Sequence, residues 1–210
     1  MDIMWRGIIV LSDDWYRNID WTESIEAHFY SKLKRARTQR DQYLVIQANM
    51  LVDKHPTVTL RLVNEYFESR KDKFEDVRAL LAKANACKTL GDLDGCISAF
   101  KQVLGREKEF PNHQTGVYLD YPYLVATQKI EDEYSEALFV LNESVDRLRF
   151  PVDYYKWHAS RALIKNDAAE AQKALEAAKV KRSGFRFHQD VGVVGREHEK
   201  AIKQLCKFSK

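Results

Sequence analysis

Glycine and proline are scarce in this chain, eight and four among 210 residues. All-β proteins take a turn residue about every 8–12 positions, so the shortage argues against a sandwich or barrel. Long apolar runs are missing as well. At the N-terminus the run Ile8 to Leu11 stops after four residues, whereas a secretory signal core needs about 7–15 and a bilayer span about 20. A soluble protein without a membrane partner is therefore expected. No charge sign dominates either: 34 Lys and Arg face 31 Asp and Glu, a net +3, which excludes a histone-like polycation or a strongly acidic chain. Cys87, Cys96 and Cys206 show no metal-ligand spacing, and an odd number of cysteines suits a reducing, cytoplasmic setting. Cys87 and Cys96 read as small buried hydrophobes, able to meet if they lie on adjacent helices.

What the chain does have is apolar residues enough for a core, 45% with 11% aromatic, arranged with a helical period from about Asp20 onward. Ile25, Phe29 and Leu33 form one stripe, and Asp20 with Glu23 has the spacing of a capping box. Leu44, Ala48 and Leu51 mark a second helix, ended at His55-Pro56, where proline also opens the next. Leu60, Val63 and Phe67 would be the inner face of that third helix. Gly91-Asp92 separates VRALLAKANACKTL from LDGCISAFKQVL, glycine as a left-handed stop and aspartate as an N-cap. After GREKEFPNHQTG come YPYLVATQKI and EDEYSEALFVLNESVDRL; Pro151 breaks that helix, and DYYKWHASRALI, a short Asn166-Asp167 turn and AAEAQKALEAAKV make another pair. A non-helical SGFRFHQDVGVVG follows, and then EHEKAIKQLCKF, with Ile202, Leu205 and Phe208 inward.

Small residues recur at fixed intervals. Ala48 and Ala84 are 36 residues apart, as are Leu51 and Cys87; Leu60, Cys96, Ala137 and Ala171 follow in steps of 36, 41 and 34. Two helices of a hairpin approach closely only where side chains are small, and one hairpin cannot bury its own apolar face, so hairpins must stack. GDLDGCISAFKQVL and EDEYSEALFVLNESV resemble the second helix of a tetratricopeptide repeat, a helix–turn–helix unit of about 34 residues. In that family small residues stand at the eighth and twentieth places, matched here by Ala84 and Cys96, then Ala137, then Ala159 and Ala171. Large residues at the seventeenth and twenty-fourth places are matched by Leu93 and Phe100, then by Tyr134 and Leu141. The chain departs from the pattern at Lys83 and His158, where leucine is usual, at His55-Pro56, and in an insertion of about seven residues between Gly105 and Asp120. As a whole it is similar to uncharacterised bacterial proteins of this repeat class, through its HPTV and SGFRFH segments.

The resemblance implies an all-α fold, a right-handed superhelical array of antiparallel helix pairs. An N-terminal extension, 1–19, would precede a helical repeat domain, 20–182, with approximate repeats 41–70, 76–107, 118–149 and 152–181; an irregular segment with a capping helix, 183–210, would close it. The resemblance also implies a non-enzymatic scaffold that binds a peptide or protein on its concave face. Carried over by register, the groove would be lined by Gln42, Val45, Asn49 and Val52, by Arg78, Leu81, Asn85 and Lys88, and by Asp153, Lys156, Ser160 and Leu163. Asn49 and Asn85 offer amides able to clamp an extended backbone, while Arg78, Lys88 and Lys156 would attract a carboxylate. The plainer reading makes the asparagines packing residues and the lysines ordinary surface.

No phosphate loop, HExxH, nucleophile elbow or Cys/His metal pattern is visible, so no cofactor, metal or catalytic residue is expected. A hydrolase-like enzyme would have to use His188, Asp190, His198 and Glu199, the one cluster of acid–base groups in sequence. Two basic runs, residues 32–40 with five cations and the tail from Lys179 with nine against three acids, would serve a nucleic-acid accessory; solvated helix ends are the preferred reading. A homo-oligomer stays open. Phe185, Phe187, Val191 and Val193 call for burial, which makes SGFRFHQDVGVVG a cap on the last hairpin or a plug in the groove.

Overall fold

Local punctuation decides where each helix stops. The structure, a computed structural model, describes residues 14–208; the Ile8–Leu11 run and most of the 1–19 extension lie outside the described residues. Ten α-helices and no strand are found among the described residues, and none of these helices is long and apolar enough to cross a membrane. The chain divides into two compact units, Met1–His113 and Gln114–Lys210, with the boundary inside the stretch where the repeat spacing lengthens.

Unit 1 holds α1 (Glu23–Leu33), α2 (Arg40–Leu51), α3 (Pro56–Ser69), α4 (Asp76–Leu90) and α5 (Leu93–Glu109). α2 pairs with α3 and α4 with α5, and α3 packs on α4. The cap of α1 is Thr22, whose hydroxyl accepts from the Ile25 amide at 3.3 Å. Asp20, expected in the capping box, instead pairs with Lys54 at 2.9 Å. Pro56 opens α3, Gly91 takes the left-handed conformation at φ 77°, and Asp92 accepts from the Gly95 amide at 2.9 Å. Phe29, Leu33, Leu44, Leu51, Leu62, Val63 and Tyr66 are buried in one cluster with Ala48, each large aliphatic side chain contributing roughly 1.5–3 kcal/mol.

One register differs from expectation. Leu60 and Phe67 are only half-buried, and the inner face of α3 is Thr59, Leu62, Val63 and Tyr66. The Thr59 hydroxyl donates to the Ala48 carbonyl at 2.9 Å, so the close approach between α2 and α3 falls one residue earlier than the 36-residue step from Leu60 to Cys96 implies. Polar glue joins three helices behind that face. The fully buried Asp76 carboxylate accepts from the Tyr66 hydroxyl at 2.8 Å and lies 3.2 Å from Arg70 Nε and 3.1 Å from Arg106 Nε.

Unit 2 holds α6 (Val117–Gln128), α7 (Tyr134–Glu143), α8 (Pro151–Lys165), α9 (Ala168–Lys179) and α10 (Glu199–Phe208). Here α6 pairs with α7 and α8 with α9, while α6 also packs on α8. Asp153 tethers the start of α8, accepting from the Arg149 and Phe150 amides at 3.0 Å each. Asn166 stops that helix at φ 55°, and Asp167 caps α9 by accepting from the Ala169 and Glu170 amides. The small residues Ala137 and Ala171 are fully buried, like Ala48 and Ala84 in unit 1.

Residues 181–195 are non-helical and return to the α8/α9 hairpin. The Val152 amide donates to the Gly192 carbonyl at 2.9 Å, and the Phe150 and Phe185 rings stand 5.5 Å apart. Gly192 sits at φ 76°, where a β-carbon would fall 2.5 Å from the Phe150 ring, so only glycine fits. α10 packs against α9 and α8 through Leu205 and Ile202. Burial of the loop aromatics is not what the structure gives: Phe185, Phe187 and Val191 stay exposed, and Phe187 keeps 83% of its surface.

Candidate functional site

The last turns of α2 and α4 enclose an open cleft of about 500 Å³ lined by Asn49, Val52, Asp53, Asn85, Lys88 and Thr89. These six residues form three pairs, 49 with 85, 52 with 88 and 53 with 89, each 36 apart. The contact between α2 and α4 places residues of equal spacing side by side in the cleft. Asn49 donates one amide proton to the Val45 carbonyl of its own helix at 2.8 Å, and the Asn85 carbonyl accepts from the Thr89 hydroxyl at 3.0 Å. Asp53 and Lys88 place one charge of each sign at the exposed rim. The cleft therefore presents amides, a hydroxyl and opposed charges around the apolar Val52, a set suited to the alternating donors and acceptors of a polypeptide backbone.

Of the residues carried over by register, Asn49, Asn85, Lys88 and Val52 share this cleft. Gln42 and Arg78 lie in the first turns of α2 and α4, away from its lining, and Arg78 pairs with Glu75 at 3.5 Å. Val45 is a correction, because it is buried in the unit 1 core. Leu81 is half-buried. In unit 2, Ser160 is also a correction: it is fully buried, its hydroxyl donating to the Lys156 carbonyl at 2.7 Å. Lys156 pairs with Asp120 at 2.6 Å, and Asp153 is the tether of α8. Leu163 lines a separate cleft of about 490 Å³ with Ala126, Lys129, Tyr134, Asn166, Gln204 and Phe208. Asp53 and Thr89 are the residues that sequence reasoning missed. Their signal was present, one position beyond Val52 and Lys88 at the same interval.

The acid–base residues of the tail do not share one environment. His188 and Asp190 are exposed, and Glu199 pairs with Lys203 at 2.8 Å. His198 is buried between two rings, with Nδ1 3.0 Å from the Tyr123 hydroxyl and the Tyr155 ring 5.1 Å away. Among the described residues no three His, Cys, Asp or Glu stand where they could hold a metal ion. Cys87 and Cys96 are buried and carry no disulfide. Burial, followed by the charge of Asp92, pushes the Cys87 thiol up, the opposite of what an activated nucleophile requires. Burial likewise raises the Glu75 carboxyl, with Arg78 and His113 pulling the other way.

No protein family, curated protein or solved structure matches this chain.

Proposed function

We propose that the chain is a non-enzymatic binding protein of tetratricopeptide-like repeats, a cytoplasmic scaffold whose unit 1 cleft holds an extended peptide segment of a partner. In this reading the helix pairs are divergent members of a right-handed superhelical array. One observation carries the reading: Asn49, Asn85 and Lys88 line one cleft as residues repeated, or aligned, at the 36-residue interval. Paired amides on neighbouring helices bond a peptide backbone without regard to its side chains, and Lys88 favours an acidic residue or a terminal carboxylate beside them. That no disulfide joins cysteines among the described residues accords with a reducing compartment.

The test starts from selection of binding peptides out of a random library on the full chain. Titration of the selected peptide should then weaken about fivefold or more in Asn49→Ala/Asn85→Ala, since each lost amide removes roughly 0.5–1.5 kcal/mol. Unchanged affinity in that double variant, with its helical content intact, rejects the cleft as the binding site.

A further inference from the structure

The loop that follows α9 combines exposed aromatics with cations that the fold leaves uncompensated. Between Glu176 and Asp190 the chain carries Lys179, Lys181, Arg182 and Arg186 and no acid, and Asp190 is the one acid of the 180–191 loop. All four are exposed, and no ion pair joins them to a described residue. Lys179 sits in the last turn of α9, where it answers the helix dipole; the other three lie beyond that turn. Among them stand Phe187, 83% exposed, Phe185, 47% exposed, and the exposed Val180 and Val191.

This segment is braced from within. The Ser183 amide donates to the Gln189 carbonyl at 2.7 Å, the Ser183 hydroxyl donates to the His188 carbonyl at 3.0 Å, and the Val191 amide donates to the His188 carbonyl at 3.1 Å. A tip held by its own hydrogen bonds presents Phe187 to the outside without a further ordering step. We propose that the 180–191 loop is a docking tip for an anionic lipid surface, with Phe187 entering the interface and Lys181, Arg182 and Arg186 meeting the headgroups. Charge complementarity selects a negative surface, and the aliphatic members favour lipid over nucleic acid, since valine cannot stack on a base. A protruding aromatic ringed by cations also needs no shape complement in a fluid interface.

Vesicle co-sedimentation of the full chain tests this directly. Binding is expected to phosphatidylcholine vesicles containing phosphatidylserine and not to phosphatidylcholine alone, and it should fall as salt shortens the screening length. Phe187→Ser, at an exposed site that the fold does not use, should lower partitioning about tenfold with unchanged helical content. Phe187→Trp should shift its emission to the blue on anionic vesicles only. No binding to anionic vesicles at low salt, binding that ignores Phe187→Ser, or a Phe187-dependent complex with single-stranded oligothymidylate in place of vesicles would each overturn the proposal.

Discussion

Replacing Asp76 by alanine should cost unit 1 about 3 kcal/mol. Its carboxylate is fully buried and is the shared partner of Tyr66, Arg70 and Arg106, so it ties the ends of α3 and α5 to the start of α4. Deleting one member of a buried ionic set costs about 3–5 kcal/mol, because the remaining charges stay desolvated without a counterion. Two features draw the value to the low end. The arginine side chains keep 24% and 21% of their surface, enough to reach water, and Arg106 retains Glu109 at 2.5 Å. Asp76→Asn keeps the shape and an acceptor for Tyr66 but removes the charge and turns an amide NH2 toward the Arg106 Nε–H, so its cost should be about 1–3 kcal/mol. Urea unfolding followed by helical circular dichroism and tryptophan fluorescence measures both, with Trp15 and Trp21 packed on the unit 1 core as reporters. Asp94→Ala, at an exposed position in the first turn of α5, is the control. An Asp76→Ala loss below about 1 kcal/mol, or one no larger than that of the control, refutes the reasoning, since typical domains have only about 5–15 kcal/mol in total.

Two further outcomes follow from the structure. Gly192→Ala puts a β-carbon into the Phe150 ring at a left-handed φ, which should loosen the loop by about 2 kcal/mol; the Val152 amide bonded to Gly192 should then exchange about thirtyfold faster, and unchanged exchange refutes the packing. Burial, then hydrogen bonds to Asp76 and Glu133, push the Tyr66 and Tyr121 phenols well above their ordinary range, and burial with Tyr123 does the same for Tyr155. The unfolded phenol ionises near about pH 10, so this stabilisation is complete below that pH and is lost as pH rises above it. Tyrosinate absorbance should climb in a cooperative step together with loss of helix, and gradual titration of all ten tyrosines would contradict it.

Features that depend on a few neighbouring residues were legible from the letters. Gly91-Asp92, Pro56 and Asn166-Asp167 act through backbone dihedrals and bonds spanning three or four positions, and they stop and start helices where their chemistry says. Asp20 shows the limit of local reasoning: its carboxylate reaches Lys54, 34 residues away, and Thr22 takes the cap instead. The same limit moved the α3 contact from Leu60 to Thr59, because the phase of a helix against its partner depends on the turn between them. In the candidate site, Asn49, Asn85 and Lys88 were reached through the register of the tetratricopeptide resemblance, whereas the burial of Ser160 and the Lys156–Asp120 pair between α8 and α6 are tertiary.

By itself, then, the sequence determined helical class, helix ends and the small residues at the crossings, since Ala48, Ala84, Ala137 and Ala171 serve close approach wherever the hairpins go. Only tertiary structure decided which polar side chains are consumed inside and which are left for a partner. Asp76 and Phe187 make the contrast: the charged residue is enclosed by Tyr66, Arg70 and Arg106, and the aromatic one stands in solvent. Helix propensity is local, but burial depends on what distant segments bring to the same place, and no window of sequence contains that information.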